Sequence, residues 1–309
     1  MVRKRLQNWI SEGRYTLPIM AVYAMVVCML TGVFKQGQWL QFAALALSAY
    51  LMLQLNNTNA LIRIYSRMVS CSFLVLITMT SFLMSSVEGA LVQLCMIVFY
   101  MMFFHAYQDN SASGRLFYAF VAWGTASLSF VQILYFVPVL LVLLVTNIMA
   151  FSMRNLRAML LGLMAPYWFM VGYEAFVGNF HYLQNHFAQL FVFAPLFDYS
   201  DLDLHRTLTF CFVAFLALTG SIHFMRHSYQ DKIRTRMFYE VFITMNACTI
   251  VFLLLQPQHY DYLIRLMIIN TSVLIAHFFA LTNTRITNIS FIFITLSAFL
   301  MTGYNLWIS

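Results

Sequence analysis

The sequence predicts an all-α, polytopic membrane protein: a single integral membrane domain over 1–309 with about eleven transmembrane helices. Three observations carry this. Of the 309 residues, 62% are hydrophobic and 9% charged, whereas a soluble domain carries about 25% charged residues. Apolar runs able to cross about 30 Å of hydrocarbon recur along the chain. The basic residues collect in alternate loops, as the positive-inside bias requires.

The elements follow in order. Residues 1–16 form an amphipathic cytoplasmic lead, with Arg3, Lys4, Arg5 and Arg14 on its polar side and Leu6, Trp9 and Ile10 for the headgroups. The first helix spans Leu17 to Phe34, with Pro18 in its first turn. A short turn, Lys35 to Trp39, leads to the second helix, Leu40 to Leu55. In the polar stretch that follows, Arg63 and Arg67 lie one helical turn apart. The third helix ends near Met84, a turn holds Glu88, and the fourth runs from Ala90 to Phe104.

Leu116 to Ala150 is uncharged for 35 residues. As one helix it would be about 52 Å long, too long for a single crossing. Arg115 and Arg154 flank it and belong on the same side, so it crosses an even number of times. A break over Ser127 to Gln132 gives the fifth and sixth helices, which as polar-broken halves line a cavity. The seventh helix, Arg157 to Val177, has a kink expected at Pro166. The longest outer loop, 178–205, precedes the eighth helix, Arg206 to Met225. After the basic loop Arg226 to Arg236 come the last three helices, Met237 to Leu255, Tyr262 to Leu281 and Ile286 to Trp307.

The turn holding Arg154 and Arg157 fixes sidedness. It places the N-terminus in the cytoplasm and the C-terminus in the periplasm of a bacterial inner membrane. With that assignment, 14 of the 17 basic residues fall inside, leaving Lys35, Arg206 and Arg265 outside.

The net charge of +7 therefore reads as orientation and contact with membrane lipid, not as nucleic-acid binding. Cys28, Cys71, Cys95, Cys211 and Cys248 are scattered singly in apolar runs and read as small hydrophobes. There is no Walker, GxGxxG, HExxH or GxSxG motif, so coupling to ATP by this chain alone is excluded. No cofactor and no metal-ligand spacing is expected, although the carboxylates and imidazoles of the outer loop are donors suited to a divalent cation.

Candidate chemistry concentrates in that loop. Asp198, Asp201, Asp203 and His205 are the candidate catalytic residues. Asp201, Asp203 and His205 alternate, so an extended chain puts them on one side, where carboxylate and imidazole serve as acid and base. Arg206 and Arg265, at helix starts, are the candidate lipid-phosphate ligands, or else structural partners of Asp203 and Asp261. Glu88, His181 and Asp261 are second choices. The apolar cluster Phe187 to Phe193 predicts that the loop packs back on the membrane as an interfacial helix, a good cover for a lipid-linked substrate. Inside, His223 and His227, with Arg226, Lys232, Arg234 and Arg236 nearby, read as a topology anchor or a phospholipid contact. His277 reads as a hydrogen-bonded core residue.

The run LFYAFVAWGTASLSFVQILYFVPVLLVLLV, the basic turn, LLGLMAPYWFMVGY and the earlier LNNTNALIRIYSR together resemble a domain of unknown function found in bacterial multipass inner-membrane proteins. The central pattern is more distantly similar to GT-C-type glycosyltransferases, which take sugars from polyprenyl-phosphate carriers at the outer face. Those enzymes carry an acidic residue in the first outer loop. Here Lys35 to Trp39 has none, so no catalytic residue carries over.

The resemblance implies a GT-C-like protein that handles a polyprenyl-phosphate-linked glycan at the outer face, as a glycosyltransferase or a degenerate relative. The alternatives are a non-catalytic scaffold subunit with a membrane-protein partner in a cell-envelope complex, and a secondary transporter. A transporter needs ionisable residues near the midplane, where His277 is the main one.

Overall fold

A computed structural model describes residues 5–178, 181–193, 195–200 and 202–308. Thirteen α-helices, and no strand, are found among them. They are α1 (Leu6–Ser11), α2 (Thr16–Leu30), α3 (Trp39–Asn59), α4 (Met68–Met79), α5 (Val87–Phe104), α6 (Ser113–Ser129), α7 (Val137–Leu143), α8 (Met153–Val177), α9 (His181–Ala188), α10 (Leu204–His227), α11 (Ile233–Leu255), α12 (Tyr260–Leu281) and α13 (Arg285–Ile308).

Every apolar segment read from the sequence coincides with a helix, and α1 and α9 are the two additions. Seven helical stretches are long and apolar enough to cross a membrane, among them 131–148 taken as a unit. The other four segments fall short of that standard. Of these, α2 and α4 have only 15 and 12 residues and α6 has 17. The fourth, α3, is interrupted by Gln41 and Gln54 and ends in Asn56–Asn59.

The expected break is present. Helix α6 stops at Ser129, and Phe130 turns to φ −140°. A 3₁₀ stretch, Val131–Phe136, feeds α7, which closes in one π turn, Leu144–Ile148. Met149, in the left-handed region at φ 53°, ends it. Helix α8 passes through Pro166 as one continuous element.

The bundle is organised around α12. All residues from Leu263 to Ala280 are buried, while α8 leaves Leu161, Met164, Trp168, Phe169 and Phe176 exposed. A helix buried on all sides has no lipid face, so its polar side chains must be bonded within the protein. Each has at least one such bond. Asn270 accepts from the Tyr100 hydroxyl at 2.6 Å, Thr271 from Asn246 at 3.0 Å, and Ser272 bonds the Ile269 carbonyl at 2.7 Å.

Close approach depends on two glycine seams. A β-carbon at Gly124 would lie 2.6 Å from the Leu163 carbonyl oxygen, where α6 meets α8. One at Gly220 would lie 2.9 Å from the backbone and β-carbon of Leu274, where α10 meets α12. Small residues at such crossings let backbones approach. Gly220→Leu must push α10 off α12 and is expected to cost roughly 1–3 kcal/mol. Thermal unfolding in detergent checks it, and an unchanged midpoint would contradict the seam.

Two faces separate cleanly. On the basic face, Gln7 bonds Phe279 and Thr282, Ser66 bonds Ser11, Arg63 bonds Gln230, and Asn155 bonds Asp109. On the acidic face, Gln41 bonds Ser85, Tyr262 bonds Glu88, and Tyr199 bonds the Leu254 carbonyl. These bonds join loops that the sequence put on one side, and none of them joins a basic loop to an acidic one.

Candidate functional site

On the acidic face a polar cavity of about 610 Å³ is lined by Glu88, Leu128, Ser129, Phe130, Gln132, Asn185, His186, Gln189, His259 and Tyr262. Four parts of the chain build it. Glu88 stands in the first turn of α5, which Ser86 caps by accepting the Gly89 N–H at 3.0 Å. A carboxylate suits that position, where the helix dipole is positive. Phe130 and Gln132 come from the break after α6, and His259 and Tyr262 from the 3₁₀ turn that starts α12.

The Tyr262 hydroxyl donates to Glu88 Oε2 at 2.8 Å. The Tyr262 ring stacks on Phe130 at 4.7 Å and 12°, with His259 edge-on to Phe130 at 5.3 Å. No lysine or arginine lines the cavity among the described residues. Its wall offers one carboxylate, two imidazoles, three amides and an aromatic platform.

Helix α9 and the turn Gln189–Phe191 form the cover, as the apolar cluster led one to expect. Buried Glu174, at the end of α8, docks the start of α9 by accepting the Leu183 N–H at 2.9 Å. The Tyr167 hydroxyl bridges Ser127 Oγ at 2.7 Å and His186 Nε2 at 3.4 Å. Tyr135 and Gln132 bond the carbonyls of Leu190 and Gln189. Glu174→Ala removes the docking acceptor and is expected to raise amide exchange of α9 by about tenfold, the equivalent of one lost hydrogen bond. Exchange at α9 that matches the parent would contradict this docking.

Burial lowers the His186 pKa below the usual imidazole range. A docked α9 thus resists a proton that the undocked segment accepts below about pH 6.5. Stability from docking is complete above that pH and is lost as pH falls through the lowered folded value. Protection of α9 from exchange is expected to drop between pH 7.5 and 5.5, and His186→Gln to flatten that drop.

Beside the polar cavity lies an apolar groove of about 390 Å³ between the 131–148 segment and α11. It is lined by Tyr135, Phe136, Val139, Ala247, Cys248, Val251, Phe252 and Leu255. The two are neighbours. Phe252 of the groove sits 5.9 Å from the His259 ring of the cavity, and Tyr135 of the groove bonds the cover.

The residues singled out in the sequence are placed as follows. Asp201 lies outside the described residues. Asp198 is exposed and closes a turn, accepting the Ser200 hydroxyl at 2.7 Å and its N–H at 3.1 Å, which hold its carboxyl below the usual range. Asp203 is the exposed residue before α10. Because α10 begins at Leu204, the extended pattern expected to align Asp203 with His205 ends there. The His205 ring packs edge-on to Phe82 at 5.0 Å.

Arg206 pairs with Asp261 at 3.2 Å and lies over the rings of Phe82 and Tyr260. Arg265 is buried, bonding the Leu83 carbonyl and Gln93 Oε1, with Gln93 bonded in turn to Ser48. Asp198, Asp203, His205, Arg206 and Arg265 are therefore not brought together around the cavity, whereas Glu88, a second choice, is in its wall. Gln132, His186 and His259 were not selected from the sequence. Among the described residues no group of three or more His, Cys, Asp or Glu is arranged to hold a metal ion. Of the cysteines, Cys211 is exposed and Cys248 lines the groove, so the reading as buried hydrophobes holds for Cys28, Cys71 and Cys95.

Fold and site together define the class: an all-helical membrane protein with a polar cavity beside an apolar groove. No family model, no curated protein and no solved structure matches the chain.

Proposed function

We propose that the chain binds a lipid-linked glycan at the periplasmic face of a bacterial inner membrane. In this reading the chain crosses about eleven times, N-terminus in and C-terminus out. The sorting of basic residues supports that orientation. The sugar occupies the polar cavity and the polyprenyl chain lies in the groove.

One observation carries the reading: a hydrogen-bonding cavity and an apolar groove lie side by side, with Phe252 of the groove against His259 of the cavity. An amphiphile with a bulky polar head fits both at once, and neither a soluble sugar nor a simple hydrocarbon does. The uncharged amides, the Glu88–Tyr262 pair and the Phe130–Tyr262 platform suit a neutral, polyhydroxylated head. If sugar transfer occurs, Glu88 is the carboxylate in the wall that can take the acceptor's proton.

The test is native mass spectrometry of the chain extracted from its own membrane, followed by a sugar-transfer assay in proteoliposomes. The expected result is a co-purified lipid-linked glycan that is lost in Glu88→Gln. Retention of phospholipid alone, with stable capture of another membrane protein, would replace this reading with the scaffold one.

A further inference from the structure

At the other end of α12 lies a second polar pocket, of about 250 Å³, on the basic face. Fifteen residues separate His277 in its wall from Tyr262 in the first cavity, about 22 Å along the helix. The two sites are therefore distinct.

Its wall is drawn from five elements. Arg63 comes from the connector before α4, His223 and His227 from α10, Gln230 and Asp231 from the turn before α11, His277 from α12, and Thr284 and Thr287 from the start of α13. Arg63 is held in place by Gln230 Oε1 at 2.7 Å. The His223 and His227 rings stack at 4.5 Å. His227 Nδ1 lies 3.0 Å from the His223 carbonyl, which fixes the tautomer with Nδ1–H donating and leaves Nε2 for a ligand.

Asp231 is the single carboxylate of this wall, and it is already engaged. His277 Nε2 meets Asp231 Oδ2 at 3.0 Å, and Arg63 lies 3.9 Å from Oδ1. Asp231 and Arg63 offset one another in formal charge, so the three imidazoles set the sign of the pocket, each adding a positive charge when it takes a proton. His277, 1% exposed, has a buried Nδ1 without a hydrogen-bond partner. An orphaned buried nitrogen in the wall of a roomy polar pocket points to a missing ligand. Among the described residues no group of three or more His, Cys, Asp or Glu is arranged to hold a metal ion here.

We infer that this pocket binds a phosphate group, held by Arg63, His227 and His277. A guanidinium suits phosphate geometrically, and each free imidazole nitrogen either accepts from a P–OH or, once protonated, donates to a phosphate oxygen. The group can reach the pocket as the headgroup of an anionic lipid in the adjacent leaflet or as a soluble phosphate compound.

The experiment uses the full chain in maltoside detergent, which brings no phosphate. Thermal unfolding is followed with inorganic phosphate in one arm and phosphatidic acid in mixed micelles in the other. Stabilisation by either is expected. Response to the lipid alone assigns a leaflet headgroup, and response to inorganic phosphate assigns a soluble ligand. Arg63→Gln and the exposed His227→Gln are each expected to weaken the response about tenfold in apparent affinity, the loss of one charge-assisted bond. His227→Gln leaves the Arg63–Gln230 contact intact and keeps the test open should Arg63→Gln fail to fold. No stabilisation in either arm, or stabilisation untouched by His227→Gln, would overturn the inference.

Discussion

Asp231→Ala is expected to cost about 3 kcal/mol of stability, because breaking a buried charge pair strands its partner. Asp231 and His277 are 2% and 1% exposed and 3.0 Å apart. Removing the carboxylate leaves His277 Nε2 buried without an acceptor and takes away the anion beside Arg63. His277 sits on α12, the helix that most of the bundle packs against, so the loss is transmitted to the core. Asp231→Asn keeps an acceptor for the imidazole and should lose less than half as much. Thermal unfolding of the three proteins in one detergent gives the comparison. Equal stability of Asp231→Ala and the parent would show that the pair does not hold this end of the bundle.

The second large effect is on ligand retention. Ala247 lines the apolar groove and faces away from the core. Ala247→Trp fills the groove without entering the bundle, so stability should be unchanged while retention of a lipid-linked glycan falls at least about tenfold, roughly 1.4 kcal/mol. Glu88→Gln acts at the other end of the same ligand, leaving the tail in place and weakening the head. Loss in one variant but not in the other would separate tail binding from head binding.

Much of the fold could be read directly. The split over Ser127–Gln132 follows from 35 uncharged residues between two arginines that belong on one side, and α6 does end at Ser129. The apolar cluster Phe187–Phe193 announced the cover. The central place of α12 left a trace too. Asn270, Thr271, Ser272 and His277 in one apolar helix have no lipid-facing solution, and their number marks a helix enclosed by others.

The site was less legible for a physical reason. Glu88, Gln132, His186 and His259 come from four elements spread over 172 positions, and no periodicity links them. The Asp198–Arg206 stretch drew attention because its charges are neighbours in sequence. Of these, Asp198 serves a turn, Asp203 precedes a helix start and Arg206 makes an ion pair with Asp261. Glu174 docks α9 through an N–H nine residues later, in a separate helix, which no local pattern announces.

The most direct test of the central claim is a density map of the chain in native lipid. The account predicts one elongated ligand, its head against Glu88 and His186 under α9 and its tail along Ala247 and Val251. A cavity holding solvent alone, with the groove occupied by lipid that has no continuous density into the cavity, would contradict it.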